Sequence, residues 1–167
     1  MKQLWAPWRL AYIQQEKPSG CIFCLAAASA DDRSGLVVYR GPRTFVIMNL
    51  FPYNTGHIMV VPYRHIADLS DLDDDEAREI VLTLARAVAA EGRALNPEGY
   101  NVGLNLGQVA GAGIRDHLHV HVVPRWAGDT NFMPVLGDVK VIPEHLESTY
   151  DRLRRGFADL DSSEAGR

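Results

Sequence analysis

Three of the six histidines fall within five residues, in the run His117-Leu118-His119-Val120-His121-Val122-Val123. Read as a β-strand, the run sends His117, His119 and His121 to one face and Leu118, Val120 and Val122 to the other, because successive side chains alternate. The apolar face must be covered, so the chain needs a sheet with a packed layer on one side and a chemical surface on the other. Packing gives no reason to set three imidazoles side by side, since Thr, Val or Lys would serve a half-exposed strand. A single metal ion held by all three is excluded by distance: at about 3.3 Å per residue the outer Cα atoms lie roughly 13 Å apart, against bonds of about 2 Å. Division of labour remains. One neutral imidazole attacks an electrophile, a neighbour donates a proton or holds an anion, and a third orients the set.

The preceding loop points to phosphorus as that electrophile. Gly103-Leu104-Asn105-Leu106-Gly107-Gln108-Val109-Ala110-Gly111-Ala112-Gly113 lets backbone N–H groups converge on phosphate oxygens, and Asn105 adds a neutral amide. It lacks the Gly-Lys-Ser/Thr ending of a P-loop, and glycines alone also suit a hairpin turn, so the weight rests on its place directly before the histidines. Seventeen Lys and Arg against 21 Asp and Glu leave a formal charge of -4. No strong positive field exists to hold a DNA or RNA polymer, so a nucleic-acid-like ligand has to be small.

The rest of the chain reads as α+β. Short apolar runs at 36–39, 44–49 and 57–61, separated by Gly41-Pro42 and by Pro52-Tyr53-Asn54-Thr55-Gly56, predict an antiparallel meander. Ala77, Ile80, Val81, Leu84, Val88 and Leu95 recur at helical spacing, predicting a long helix from about Asp71 to Leu95. Its acidic opening beside Ser70 suits the positive end of the helix dipole better than a Mg2+ site. Tyr100 to Asn105 alternates like a strand, and His117 to Val123 does so until Pro124 stops it. Val139 to Ile142 alternates again, and Pro143 opens a second helix with Leu146, Tyr150, Leu153 and Phe157 on one face.

The expected architecture is an antiparallel sheet of about five strands, a long helix on one face and a C-terminal helix. With 167 residues, 47% of them hydrophobic, one domain is expected. It divides into an N-terminal arm at 1–35 anchored by Trp5 and Trp8, a core at 36–142, a helix at 143–157 and a frayed tail at 158–167. No apolar stretch is long enough for a signal peptide or a membrane span, so a soluble cytoplasmic protein is expected, away from membranes. Cys21 and Cys24, in C-x-x-C spacing, suit a metal clip or a redox pair. His57 and His145 read as structural.

The intact run from His117 to Val123 resembles the histidine triad (HIT) superfamily, whose motif alternates histidine with apolar residues in this order. The resemblance extends to Asn49, to Pro52…Gly56-His57-Ile58-Met59-Val60-Val61-Pro62, and to the Asn105–Gly113 loop. Leu4-Trp5-Ala6-Pro7-Trp8-Arg9 and the segment from Pro124 to Pro134 look more narrowly like the bacterial diadenosine tetraphosphate phosphorylases of that superfamily. The resemblance implies that His119 attacks the α-phosphorus of a nucleotide, and that water or inorganic phosphate resolves the nucleotidyl-imidazole. His121 would contact the α-phosphate and help protonate the leaving group, and His117 would sit behind His119. Asn105 and amides near Gly113 would stabilise charge on phosphate, while Asn49 would hold ribose beside Phe45 and Ile47. Many relatives carry a small hydroxyl residue near Ala112-Gly113, which this chain lacks.

Some relatives bind structural Zn2+ through positions that correspond to Cys21, Cys24, His65 and His117. The resemblance also implies a homodimer, in which Trp126 either caps the core or stacks on a second adenine, reaching the partner's site. A divalent cation such as Mg2+ is compatible with the reaction. Alternatives to phosphorolysis are hydrolysis of diadenosine polyphosphates or of adenosine phosphoramidates, and nucleotide binding without turnover, against which the intact middle histidine argues.

Overall fold

In the computed structural model, residues 20–129, 142 and 144–165 are described. Trp5 and Trp8, most of the Val139–Ile142 run and the helix-opening Pro143 lie outside them. The elements are helix α1 (Ile22–Ala28), strands β1 (Val37–Arg40), β2 (Thr44–Met48) and β3 (Ile58–Pro62), helix α2 (Asp74–Leu95), strands β4 (Gly99–Gly103) and β5 (Val120–Arg125), and helix α3 (Leu146–Ala165). Short 3-10 turns cover Leu69–Asp71 and Gln108–Ala110. The strands form one antiparallel sheet in the order β1-β2-β3-β5-β4. Among the described residues, no helix is long and apolar enough to cross a membrane.

β2 and β3 are buried on both faces, which is why they read as continuous apolar runs. On one face Val46, Met48, Ile58, Val60, Leu118, Val120 and Val122 pack against Ile80, Ala87 and Leu95 of α2 and Leu153 and Phe157 of α3. On the other, Phe45, Ile47, Met59 and Val61 meet Phe23 and Ala26 of α1. The sheet thus separates a two-helix core layer from a thinner layer with the chemical groups.

The long helix starts at Asp74, three residues later than the sequence reading placed it, and Asp73 rather than Ser70 caps it. The Asp73 carboxylate accepts the Glu76 N–H at 2.7 Å, and the Glu76 carboxylate accepts the Asp73 N–H at 3.1 Å. Glu76 also accepts from Arg64, whose guanidinium holds its carboxyl down at about 2. Ser70 falls in the 3-10 turn before the cap.

Four further boundaries differ from the sequence reading. Residues 22–28 of the arm form α1, a helix too short to show a clear period. β4 ends at Gly103 rather than Asn105. β5 runs through Pro124 to Arg125, because β3 pairs with β5 only as far as Val122. Beyond it the Pro124 carbonyl accepts from Asn54, so the missing N–H breaks no ladder bond. Finally, α3 starts at Leu146 and continues to Ala165, through much of the stretch expected to fray. Leu160 is buried there, and Asp161 and Ser163 bond to Arg86 and Arg93 of α2.

Two glycines mark close approaches. Gly56 has φ +83°, and a Cβ there would lie 2.3 Å from the Leu95 side chain. A Cβ on Gly156 would lie 2.5 Å from the Ala90 carbonyl oxygen, so this residue sets how closely α3 meets α2.

Candidate active site and metal centre

Only His121 of the three histidines lies within β5. His117 and His119 precede it, in extended chain whose Leu118 N–H donates to the Ile66 carbonyl at 2.6 Å, and the strand opposite has ended at Pro62. The alternation survives this. Leu118, Val120 and Val122 enter the core beneath α2 and α3, and the imidazoles stand on the α1 face. His119 and His121 have ring centroids 4.9 Å apart, and His117 and His119 both touch Phe23.

Hydrogen bonds assign each ring its tautomer. His117 Nε2–H donates to the Pro62 carbonyl at 2.9 Å, which leaves the Nδ1 lone pair facing Cys21 Sγ at 3.2 Å and Cys24 Sγ at 3.6 Å. His119 Nδ1–H donates to the His117 carbonyl at 2.8 Å, leaving Nε2 with a free lone pair. His57 Nδ1 accepts the Tyr53 N–H at 3.1 Å, so its proton sits on Nε2, which lies 2.9 Å from His121 Nδ1. His121 therefore carries its proton on Nε2. The chain Tyr53 N–H, His57, His121 ends in a donor beside an imidazole that is a base.

His57 is the main residue that the sequence reading missed. It is 1% exposed and joins the site through this bond. A signal was available: in β-register His57 shares a face with Met59 and Val61, which line the α1 side. Phe23 was missed too, and no pattern in the arm marked it. His145, also read as structural, is exposed just before α3.

Burial keeps His57, His119 and His121 neutral, helped by repulsion between neighbouring rings at His57 and His121. Burial, then His121 and His119, lower His57 to about 3, and burial with repulsion from His119 lowers His121 to about 4. Burial also lowers His119, opposed by the His117 carbonyl. A neutral His119 is a competent nucleophile at pH 7.

Linkage follows from the lowered values. Above about pH 6.5 both the folded and the unfolded chain hold His57 and His121 neutral; below it the unfolded chain gains protons first, so stability falls with pH. The expected slope is about 1.4 kcal/mol per pH unit for each histidine between roughly pH 6.5 and 4.5. Glu76, lowered among the carboxylates, adds its loss only below about 4.5. Urea midpoints compared with those of His57→Gln test this; equal slopes would show that His57 is not held neutral.

The glycine loop leaves β4 directly opposite His121, since Gly103 pairs with it. Ile114 returns the loop to the α1 face, and Arg115 closes it on Gln108 at 3.3 Å. Asn105 is half-buried without a side-chain hydrogen bond to another described residue, and Gly113 is exposed. Asn49 is half-buried after β2; its Oδ1 accepts the Phe51 N–H at 2.9 Å and its Nδ2 faces His57 Nδ1 at 3.3 Å. Phe45 and Ile47 are buried on the same face. Trp126 is not brought to the histidines of its own chain. It packs on the α2 side of the sheet, with its indole N–H on the Asn96 carbonyl at 3.1 Å, because position 126 has the parity of Val122 and Pro124.

Cys21, Cys24, His65 and His117 could hold a metal. One ligand atom from each lies within 4.8 Å of all the others. Cys21 precedes α1 and Cys24 stands in its first turn, so both sulfurs share a face; Cys24 Sγ is 3.3 Å from His65 Nδ1. Two thiolates and two imidazoles make a closed tetrahedral donor set, and three of its six edges, at 3.2 to 3.6 Å, are those of ligands around one ion. Burial and the neighbouring Cys21 push the Cys24 thiol up, a penalty that a cation between the sulfurs reverses.

Comparison with known proteins yields the following. A family model described as the HIT domain matches residues 32–128. The AP-4-A phosphorylase of Mycobacterium tuberculosis is 41% identical over 157 residues, covering 89% of this chain and 80% of that protein. The adenosine 5'-monophosphoramidase hnt1 of Schizosaccharomyces pombe is 30% identical over 105 residues, covering 63% of this chain and 74% of that protein. A Zn-bound histidine triad family protein from Mycobacterium smegmatis superposes with a TM-score of 0.68 at 27% identity, covering 86% of this chain and 97% of that one.

Proposed function

Since the chain belongs to the HIT domain family, we propose that it is a nucleotidyl transferase cleaving diadenosine polyphosphates, converting diadenosine tetraphosphate and inorganic phosphate to ADP and ATP. The observation that carries this reading is the pair of opposite tautomers, a free lone pair on His119 Nε2 beside a proton on His121 Nε2. The likeness to the M. tuberculosis phosphorylase supports the substrate.

In the first step, His119 Nε2 attacks the α-phosphorus and the N–P bond forms as the bridging P–O bond breaks. ATP leaves as its anion, the departing oxygen accepting a hydrogen bond from His121 Nε2–H. The positive charge gained by the His119 ring is stabilised through Nδ1–H on the His117 carbonyl. In the second step, an unprotonated oxygen of hydrogen phosphate attacks the same phosphorus, the N–P bond breaks with its electron pair returning to Nε2, and the phosphate proton stays on the terminal phosphate of the ADP formed. Asn105 and the amides near Gly113 oppose the charge on the phosphoryl oxygens, with backbone replacing a hydroxyl side chain at Gly113. Asn49 holds the ribose, with Phe45 and Ile47 behind the base.

A structural Zn2+ on Cys21, Cys24, His65 and His117 Nδ1 fits the donor set and is supported by the Zn-bound likeness. Its contribution there would be to fix the His117 backbone on which His119 rests. The reduced thiols that it needs suit a cytoplasmic setting. A second copy of the chain has a surface to use: β4 is an edge strand with Val102 exposed, and Val81 and Leu82 of α2 are exposed. Sedimentation as a monomer at micromolar concentration would remove the dimer.

The test is incubation with diadenosine tetraphosphate, with and without inorganic phosphate and with and without Mg2+, followed by chromatography. ADP and ATP formed only with phosphate are expected. AMP and ATP formed regardless of phosphate would make water the acceptor, the reading that the phosphoramidase likeness favours.

A further inference from the structure

The loop between β2 and β3 holds three large apolar side chains in solvent, Leu50, Phe51 and Tyr53. Tyr53 is the one that meets the site. Its ring stacks on His57 with centroids 4.6 Å apart and planes at 28°, and it lies 6.0 Å from His121. Yet it stays 56% exposed, so the ring covers His57 with one face and presents the other outward.

The placement is rigid. The Tyr53 N–H is the donor to His57 Nδ1. The next residue, Asn54, is buried and donates to the Pro124 carbonyl at 3.0 Å and to Asp129 at 2.7 Å. Asp129 in turn pairs with Arg125 at 2.5 Å, so the loop is fastened to the end of β5. An aromatic ring on a clamped loop, with an open face beside histidines, is a ready stacking platform for a nucleobase.

Its neighbours indicate which base. Among the described residues the histidine rings in contact with Tyr53 are those of His57 and His121, and His119 is not one of them. His119 is the residue that keeps the adenylyl group, whereas His121 faces the oxygen that departs. We propose that Tyr53 is a specificity-determining residue that stacks on the base of the departing nucleotide and so favours substrates whose leaving group is itself a nucleotide. This rests on the function proposed above and goes beyond it in assigning a side chain to the leaving half.

Two substrates with the same adenylyl half separate the possibilities: diadenosine tetraphosphate, which releases a nucleotide, and adenosine 5'-phosphoramidate, which releases ammonia. In the full-length protein, Tyr53→Ala is expected to lower kcat/KM for diadenosine tetraphosphate about tenfold, chiefly through KM, since aromatic stacking on a base has about that strength. Its effect on the phosphoramidate should stay within about twofold, and Tyr53→Phe should match the native protein on both. Equal losses on both substrates, or an acid limb of the pH profile displaced by Tyr53→Ala, would show that the ring only shields His57 or touches the retained adenosine. No loss on either would overturn the inference while leaving the proposed function standing. Absence of turnover of both substrates by the native protein would overturn the function and this inference together.

Discussion

His119→Gly and His119→Ala should lose at least about 10³-fold in turnover of diadenosine tetraphosphate, with nucleotide affinity kept within about tenfold. The size follows from what is removed. Nε2 of this ring forms the covalent bond in the proposed reaction, and none of its neighbours is placed to substitute. The lone pair of His121 is turned to His57 at 2.9 Å, and that of His117 is turned to the two cysteines. Binding should survive because Asn49, Asn105 and the glycine loop are untouched. The two readouts, single-turnover kinetics and nucleotide titration, separate a lost nucleophile from a collapsed site. Turnover within a few-fold of the native rate would remove His119 from the mechanism.

The next largest effect belongs to the Cys/His cluster. The double variant Cys21→Ser and Cys24→Ser, or the native protein stripped with a strong chelator, should lose bound zinc. It should also lose about 3 kcal/mol or more of stability, seen as a fall of roughly 10 °C in Tm. The donors come from three places: the start of α1, the loop after β3 and the segment entering β5. One ion would tie all three, and without it two thiols and two imidazoles are left crowded together. Turnover should fall as well, because the His117 carbonyl that steadies His119 belongs to one of the four residues that could hold the ion. Elemental analysis showing no zinc in protein purified without chelator, or an unchanged Tm in chelator, would remove the metal from the account.

What could be read from the sequence was whatever depended on local alternation. The split of residues 117 to 122 into an imidazole face and an apolar face held even though half of that stretch lies outside the strand, because extended chain alternates whether or not a neighbour pairs with it. The metal donors came from a family resemblance, and the cluster of four side chains agrees with it. What could not be read depended on tertiary partners. α1 is ordered by Phe23 against the histidines, the C-terminal tail by Leu160 and the arginines of α2, and Pro124 is tolerated because β3 stops short of it. His57 was the costliest omission. Strand parity puts His57 on the α1 face, but the sequence does not show that the strand across the sheet brings another histidine to 2.9 Å.

The sheet order has a kinetic meaning. β5 is threaded between β3 and β4, and the contacts that complete the site span 64 residues from His57 to His121 and 96 from Cys21 to His117. Such closures come late in folding, because the entropy of a long loop must be lost before its contacts form. α2 and the β1-β2-β3 meander can assemble from nearby chain, whereas the reactive pair exists only once β5 has docked. Recovery of catalysis after dilution from denaturant should therefore follow the slowest structural phase, and no partly folded species should carry activity.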